Sequence, residues 1–534
     1  MKTEAERPVR IFAAKRIMAM DGTEPEAFAT QDGRVVATGS RRELSERFGG
    51  AERIDLEGAL VIPGFNDAHC HVSQAALARV RVDLTGITGA EELRQAMRER
   101  SALLGEDTWV LGHAFDERSI APATVDRHFL DGVSATQPVV LIHYSYHKAI
   151  GNSRALELMG YGSPQDAPAG GELMTDADGR LNGWMYERAW LDPWLPGRQR
   201  TSIAVGGDME AQVAALRTVN DELHAAGITS YCDAIVTPVE QEMYAAALAD
   251  DVLTARVNML QWHSYFDETA EAPSFGAPDR LRLAGVKMML DGALSGGTCL
   301  CHRPYPSATG SDNGLQILND DEFTETVHRV HAAGQRVAVH ANGDQAVDKV
   351  LRIYESLPHR AGRRMNHRIE HCSMVDGSII ARMRAAGVTP VPFGSFIHFH
   401  GKEINSFYGP EWSRMICAHK SMLDAGIAVA GSSDYPLVPA DPLMAVQSMV
   451  TRCSAEGLVL GPEQQLSVTE ALTVYTSGSA HATGESRIKG RLTPGHLADF
   501  VVLDQDLTTM EPSEIGTAEV RSTWVGAACV WQKS

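Results

Sequence analysis

A helical stretch that ends in small residues and glycine, followed at once by a short apolar strand, recurs along this chain and constrains its architecture most. The junctions are Ala226-Gly227 before Ile228, Ala333-Gly334 before Arg336, Ala386-Gly387 before Val388 and Ala425-Gly426 before Ile427. Glycine just past a helix supplies the left-handed position that ends it. Near-continuous apolar strands belong to a parallel sheet covered by helices, and helix and strand in alternation read as repeated βα units. Strand candidates are Val61–Phe65, Thr229–Asp233, Arg256–Gln261, Leu283–Leu290, Arg336–His340, His367–His371, Val388–Pro392 and Ile427–Gly431. Eight parallel strands closing on themselves make an α/β fold of the (β/α)8 TIM-barrel type. A doubly wound open sheet is the alternative, but no GxGxxG turn opens a helix to support it.

Two regions fall outside that core. Residues 1–60 carry short strands and turns, such as Arg10–Ala13, Ala27–Thr30 and Val35–Thr38, and residues 486–534 do the same with Ala498–Leu503 and Val520–Trp531. The expectation is one small composite β-domain paired from both chain ends, beside a barrel over residues 61–485. The gap between the first two barrel strands is far beyond a usual βα connection. An inserted subdomain over about residues 75–200 is therefore expected, and insertions on that face shape substrate pockets.

Composition narrows the function classes. The 534 residues carry a formal charge of -20, which opposes a phosphate backbone or an anionic membrane surface. No apolar run reaches the ~20 residues of a membrane helix, and Met1–Pro8 lacks the apolar stretch of a secretory signal. The 8 cysteines are sparse and form no zinc-finger pair, so reduced thiols and a cytoplasmic location are expected.

Chemistry concentrates at strand ends. In Pro63-Gly64-Phe65-Asn66-Asp67-Ala68-His69-Cys70-His71, His69 and His71 alternate by two, so extended backbone sends both imidazoles to one side. Two such imidazoles form a chelate for a metal, or they are surface or hydrogen-bonding histidines. His340, His371 and Asp434 each close a separate strand candidate on the same rim. Lys287 stands within an apolar strand, where a charge is costly unless paired. It either pairs with Asp291 or, after loss of its proton or carboxylation by carbon dioxide, ligates a metal.

The ordered set resembles the amidohydrolase superfamily, and within it amidohydrolase family 3, the branch with N-substituted formamide deformylases. The motifs are Pro63–His71, Val286-Lys287 with Asp291-Gly292, His340-Ala341-x-Gly343-Asp344, Arg368-Ile369-Glu370-His371 and Gly431-Ser432-Ser433-Asp434-x-Pro436. Weaker matches are His147 with Asn152-Ser153, Gly183-x-x-x-Glu187, and the tail from Lys489 to Asp499. The resemblance implies a barrel with a small composite β-sandwich made from both chain ends, and one or two divalent ions, often zinc. His69 and His71 would hold the more buried ion and His340 and His371 the other, with a carboxylated Lys287 bridging and Asp434 as ligand and general base. It implies hydrolysis of a C–N bond in a small-molecule amide, formamide or cyclic amide through metal-activated water. His147 would stabilise the oxyanion, or is simply packed. Asn342 and Ala293 depart from the family pattern near the pocket.

Other readings stay open. A single-metal deaminase of a heterocycle would use much the same base, though Lys287 argues against it, and a non-catalytic barrel would have lost ligands. His398 and His400 repeat the HxH spacing but are expected to line a pocket or to be structural, as His113 and His263 are. Glu187 is ambiguous, and alternation would turn Glu370 away from the metal. Trp184, Trp190, Phe396, Phe399 and Tyr408 point to an apolar substrate portion or to loop packing. A homodimer is common in such families.

Overall fold

The computed structural model describes residues 8–105, 108–120, 125–195, 209–267, 269, 273–306, 313–359 and 365–534. Seven strands form one parallel sheet in chain order: Phe65–Cys70, Ile228–Val236, Arg256–Trp262, Leu281–Met289, Val337–Ala341, Arg368–His371 and Thr389–Val391. Their residues are buried almost throughout, because helices such as Met209–Ala225, Asp320–Ala332 and Asp344–Ser356 cover the outer face. Each fully buried Val, Leu or Ile contributes ~1.5–3 kcal/mol, so the barrel wall is the main source of stability. Gly334 (φ 77°) and Gly387 (φ 67°) take the left-handed conformation that the helix-to-strand junctions require.

Two strand expectations are corrected. Residues 61–65 are not the first barrel strand: Leu60–Pro63 pairs antiparallel with Phe500–Leu503. Gly64 breaks the run, since a Cβ there would lie 2.3 Å from the Thr229 side chain. The barrel strand starts at Phe65 and contains His69. The eighth candidate, Ile427–Gly431, is not a regular strand. Ala430 N donates to Pro390 O (3.2 Å) and Ala68 N to Gly431 O (2.9 Å), so this segment spans both sheet edges with isolated hydrogen bonds. The Gly431 N–H is drawn off to Val474 O (3.0 Å), which interrupts any ladder.

Both chain ends contribute to the accessory β structure. One sheet holds Arg10–Ala13, Ala27–Gln31, Arg34–Gly39 and Glu52–Asp55, and another holds Leu60–Pro63, Phe500–Leu503, Val520–Val525 and Ala528–Gln532. They share an apolar cluster that includes Phe12, Phe28, Val61, Phe500 and Val502. Between the helices Val72–Ala78 and Met209–Ala225 lies a further six-stranded sheet running from Val82–Asp83 to Leu181–Glu187, with a core of its own. His147, just before the strand Lys148–Gly151, and Glu187, at the end of Leu181–Glu187, belong to this sheet's edge toward the barrel.

The end of the barrel opposite the candidate ligands is filled by polar groups. Lys489 Nζ meets Glu485 Oε2 at 2.6 Å, both almost fully buried, and Asn258 Nδ2 donates to Glu485 Oε2 at 2.8 Å. Burial by itself would raise the Glu485 carboxyl, but Lys489 and Arg282 outweigh it and hold the group at about 2. Among the described residues no helix is long and apolar enough to cross a membrane.

Candidate metal centre

The rim residues singled out from the sequence converge. His71, His147, Lys287, His340, His371 and Asp434 line one cavity of about 510 Å³, and His69, fully buried, lies beneath it. His69 Nε2 and His71 Nε2 stand 3.5 and 3.2 Å from Asp434 Oδ1. His69 and His371 rings lie 5.3 Å apart, and His371 and His340 4.1 Å apart. One ligand atom from each of His69, His371 and Asp434 lies within 4.8 Å of the others.

Local backbone explains the convergence. His371 (φ 63°) and Asp434 (φ 66°) take left-handed conformations that β-region alternation would not reach, turning each side chain at the end of its segment into the mouth. Asp434 N donates to His69 O at 3.0 Å, which fixes the aspartate against the first strand. Asp67 supports the same junction by accepting from Ser433 N (3.1 Å) and His69 N (3.2 Å), and burial pushes its carboxyl up to about 7.

The electrostatics favour metal ligation. Burial, reinforced by Lys287, holds His69 and His340 well below the usual imidazole range, and burial with His340 does the same for His371. Neutral imidazole is the ligand form. His69 Nε2 and His371 Nδ1 are buried with no hydrogen-bond partner. A buried polar atom left so is costly, and two of them beside a carboxylate are a donor set that fits a divalent cation.

Lys287 settles one alternative. Asp291 does not pair with it: the carboxylate accepts the N–H groups of Leu300, Asn342 and Gly343, each at 2.9 Å. Burial pushes the Lys287 ammonium down to about 8 despite Glu370 and Asp434. His340 Nε2 lies 3.1 Å from Gly292 O and 3.0 Å from Asn342 Nδ2, so the departure at Asn342 holds that ring from behind.

His147 donates Nδ1–H to Glu187 Oε2 at 2.8 Å, and Thr298 Oγ1 donates to Glu187 Oε1 at 3.2 Å. Burial by itself would lower the His147 imidazole, but the Glu187 charge and hydrogen bond outweigh it and raise it. Glu370 does face away from the cavity, and there it accepts from His69 Nδ1. That role was missed, although its place beside His371 marked it.

The five aromatics follow the packing alternative, not the substrate-lining one. None of Trp184, Trp190, Phe396, Phe399 and Tyr408 lines the cavity; Trp194, Tyr146, Leu191, Ile235 and Met289 do. Trp190 instead stacks on Trp194 at 5.4 Å. His398 and His400 lie in the helix Phe396–Ser413, outside the cavity wall, as is His263. His113 lines a second cavity of about 1000 Å³ that shares Tyr146 and Leu437 with the first. In the inserted sheet, Asp116, Glu117 and His143 also gather donor atoms, but Arg118 (3.0 Å) and Lys148 (2.6 Å) already neutralise the carboxylates.

Residues 52–530 match the model of the family described as "Amidohydrolase family". YtcJ of Bacillus subtilis (strain 168), which bears the name amidohydrolase, is 30% identical over 530 residues, 97% of this chain and 98% of that one. The N-substituted formamide deformylase of Arthrobacter pascens is 26% identical over 526 residues, 95% of each chain. Among solved structures, an uncharacterized metal-dependent hydrolase from Pyrococcus furiosus superimposes with a TM-score of 0.71 at 25% identity, covering 95% of this chain and 100% of that one.

Proposed function

Because the chain belongs to the amidohydrolase family, we propose that it is a metal-dependent hydrolase that cleaves the C–N bond of a small-molecule amide, formamide or cyclic amide. The observation that carries this reading is the pair of unpartnered buried nitrogens, His69 Nε2 and His371 Nδ1, beside the Asp434 carboxylate. The deformylase name of one relative agrees with the bond class.

His69, His71, His340, His371 and Asp434 are the residues that would hold one or two divalent ions, zinc being the natural choice for imidazole and carboxylate donors. Lys287, with no acid partner among the described residues and with burial depressing its charge, is suited to carboxylation, which would turn it into a bridging anionic ligand. A divalent cation held there supplies Lewis acidity, which makes water a nucleophile at neutral pH and polarises a carbonyl.

The protein's own groups do the rest. Asp434 takes the proton of the attacking water and delivers it to the leaving nitrogen. With His147 Nδ1 taken by Glu187, Nε2 is the ring atom left to meet the substrate, and it donates to the carbonyl oxygen as negative charge develops. Leu191, Trp194, Ile235, Met289 and Leu437 form an apolar wall that excludes water and accepts an apolar substituent.

The grouping of His69, His371 and Asp434 supports a second reading, a single-ion centre of the kind a heterocycle deaminase would use. The test is to purify the protein without chelators in bicarbonate buffer and count metals by elemental mass spectrometry, alongside Lys287→Ala. About two ions per chain, falling in the variant, support the bridged pair. About one ion, unchanged in the variant, removes the bridging role and favours the single-ion reading. Metal-loaded protein that turns over no amide while deaminating a heterocycle overturns amide hydrolysis.

A further inference from the structure

Gln74 lies in the first turn after His71, three positions on, which places it on the same side of the helix Val72–Ala78. Its side chain lines the candidate cavity beside His71 and Leu437, yet it is only 2% exposed. Nε2 donates to Glu240 Oε1 at 3.2 Å. Glu240 is itself fixed, because its other oxygen accepts from Thr237 N at 2.8 Å and from the Thr237 hydroxyl. The amide is therefore oriented by its neighbours: the NH₂ end faces the carboxylate and the carbonyl end is left over. That carbonyl oxygen, Oε1, is buried with no hydrogen-bond partner. An unpartnered buried acceptor on a cavity whose lining also includes Leu191, Trp194, Ile235, Met289 and Leu437 is costly unless a ligand supplies a donor.

We propose that Gln74 is a specificity-determining residue whose carbonyl oxygen accepts the N–H of the scissile amide, so that the enzyme acts on amides bearing an N–H and rejects fully substituted ones. The inference rests on the amide-hydrolase reading. Gln74 lines the same cavity as His71, whose Nε2 lies 3.2 Å from Asp434, the residue given the task of protonating the leaving nitrogen. A carbonyl acceptor there orients the nitrogen, and it leaves an N-alkylated nitrogen facing an unpaired oxygen. Sites built to hydrogen-bond a substrate N–H discriminate strongly against the analogue lacking it, because their own polar group is then stranded.

The experiment compares N-(2-phenylethyl)acetamide with its N-methyl derivative, chosen because the apolar wall suits the phenylethyl group. Hydrolysis is measured with metal-loaded protein, and binding is measured by calorimetry with metal-free protein, for the wild type, Gln74→Met and Gln74→Asn. The wild type is expected to favour the N–H amide by at least about a hundredfold in kcat/KM and to bind it more tightly without metal. Gln74→Met, of similar volume but without an acceptor, is expected to lose most of that ratio, and Gln74→Asn, which keeps an amide on a shorter side chain, to retain part of it. Metal content and thermal stability of each variant identify any that misfold. A preference that persists in Gln74→Met is steric and overturns the inference. Equal use of both amides by the wild type overturns it while the hydrolase reading stands. Neither amide bound nor cleaved, with a heterocycle deaminated instead, overturns both.

Discussion

Glu370 accepts a 2.5 Å hydrogen bond from Nδ1 of His69, and Arg368 holds both oxygens of the same carboxylate at 2.7 Å. All three side chains are fully buried. The proton of His69 is thereby kept on Nδ1, and Nε2 is left as the lone-pair atom facing Asp434. Glu370→Gln is expected to weaken metal binding by about 10–100-fold, the usual effect of losing a partner behind a ligating histidine. Competition with a graded set of chelators measures it. Unchanged affinity in a folded variant would show that His69 needs no such orientation.

Glu187 plays a matching part for His147. Glu187→Gln keeps the shape but loses the charge that holds the imidazole, and its kcat is expected to fall about a hundredfold with KM within a few-fold. Metal content should not change, since no ligand is touched. Steady-state kinetics with paired metal analysis decides: a loss of metal equal to the loss of rate would place Glu187 in the structural support of the centre instead.

The Lys489–Glu485 pair at the far end of the barrel bears on stability alone. Lys489→Met leaves Glu485 buried without its ion-pair partner, with only the Arg282 charge nearby, and the expected cost is about 3 kcal/mol. Replacing both residues with Met should recover much of that loss, since a buried pair exchanged for apolar side chains is often near neutral. Chemical denaturation of the two variants checks the order. A single variant as stable as the wild type would contradict it.

The buried imidazoles should make acid destabilise the fold, against a smaller opposing effect of Asp67 and Asp291, whose carboxyls burial raises to about 7. Burial, together with His331 and Arg336, pushes His367 down to about 3, and burial chiefly pushes His263 and His419 down to about 4. A group whose folded value lies below its unfolded value of about 6.5 binds its proton only after unfolding, so stability is full above that pH and falls as pH drops toward the folded values. Each unit of difference is worth ~1.4 kcal/mol per group. Melting temperature followed from pH 7.5 to 5 is expected to decline steadily, and a flat profile would show these imidazoles to be solvated.

The local sequence determined the parts whose signals are short in range. Glycine after a helix and an apolar run after glycine located the strands from Ile228 to Val391 to within a few residues, because helix termination and strand burial are written in neighbouring side chains. It also placed His340 and His371 at strand ends, where barrel chemistry is built. Tertiary structure decided what depends on partners far along the chain. Leu60–Pro63 reads as a barrel strand but pairs with Phe500–Leu503. Ile427–Gly431 reads as a strand, but its Gly431 N–H is claimed by Val474. Asp291 is spaced to pair with Lys287, yet three backbone amides from two other segments occupy it. The roles of Glu370 and Gln74 follow the same rule, since what each carboxylate or amide can do depends on which distant group takes its other atoms. Periodicity fixes which residues share a face of one element, whereas the hydrogen-bond partner of a buried polar atom is set only when separate elements meet.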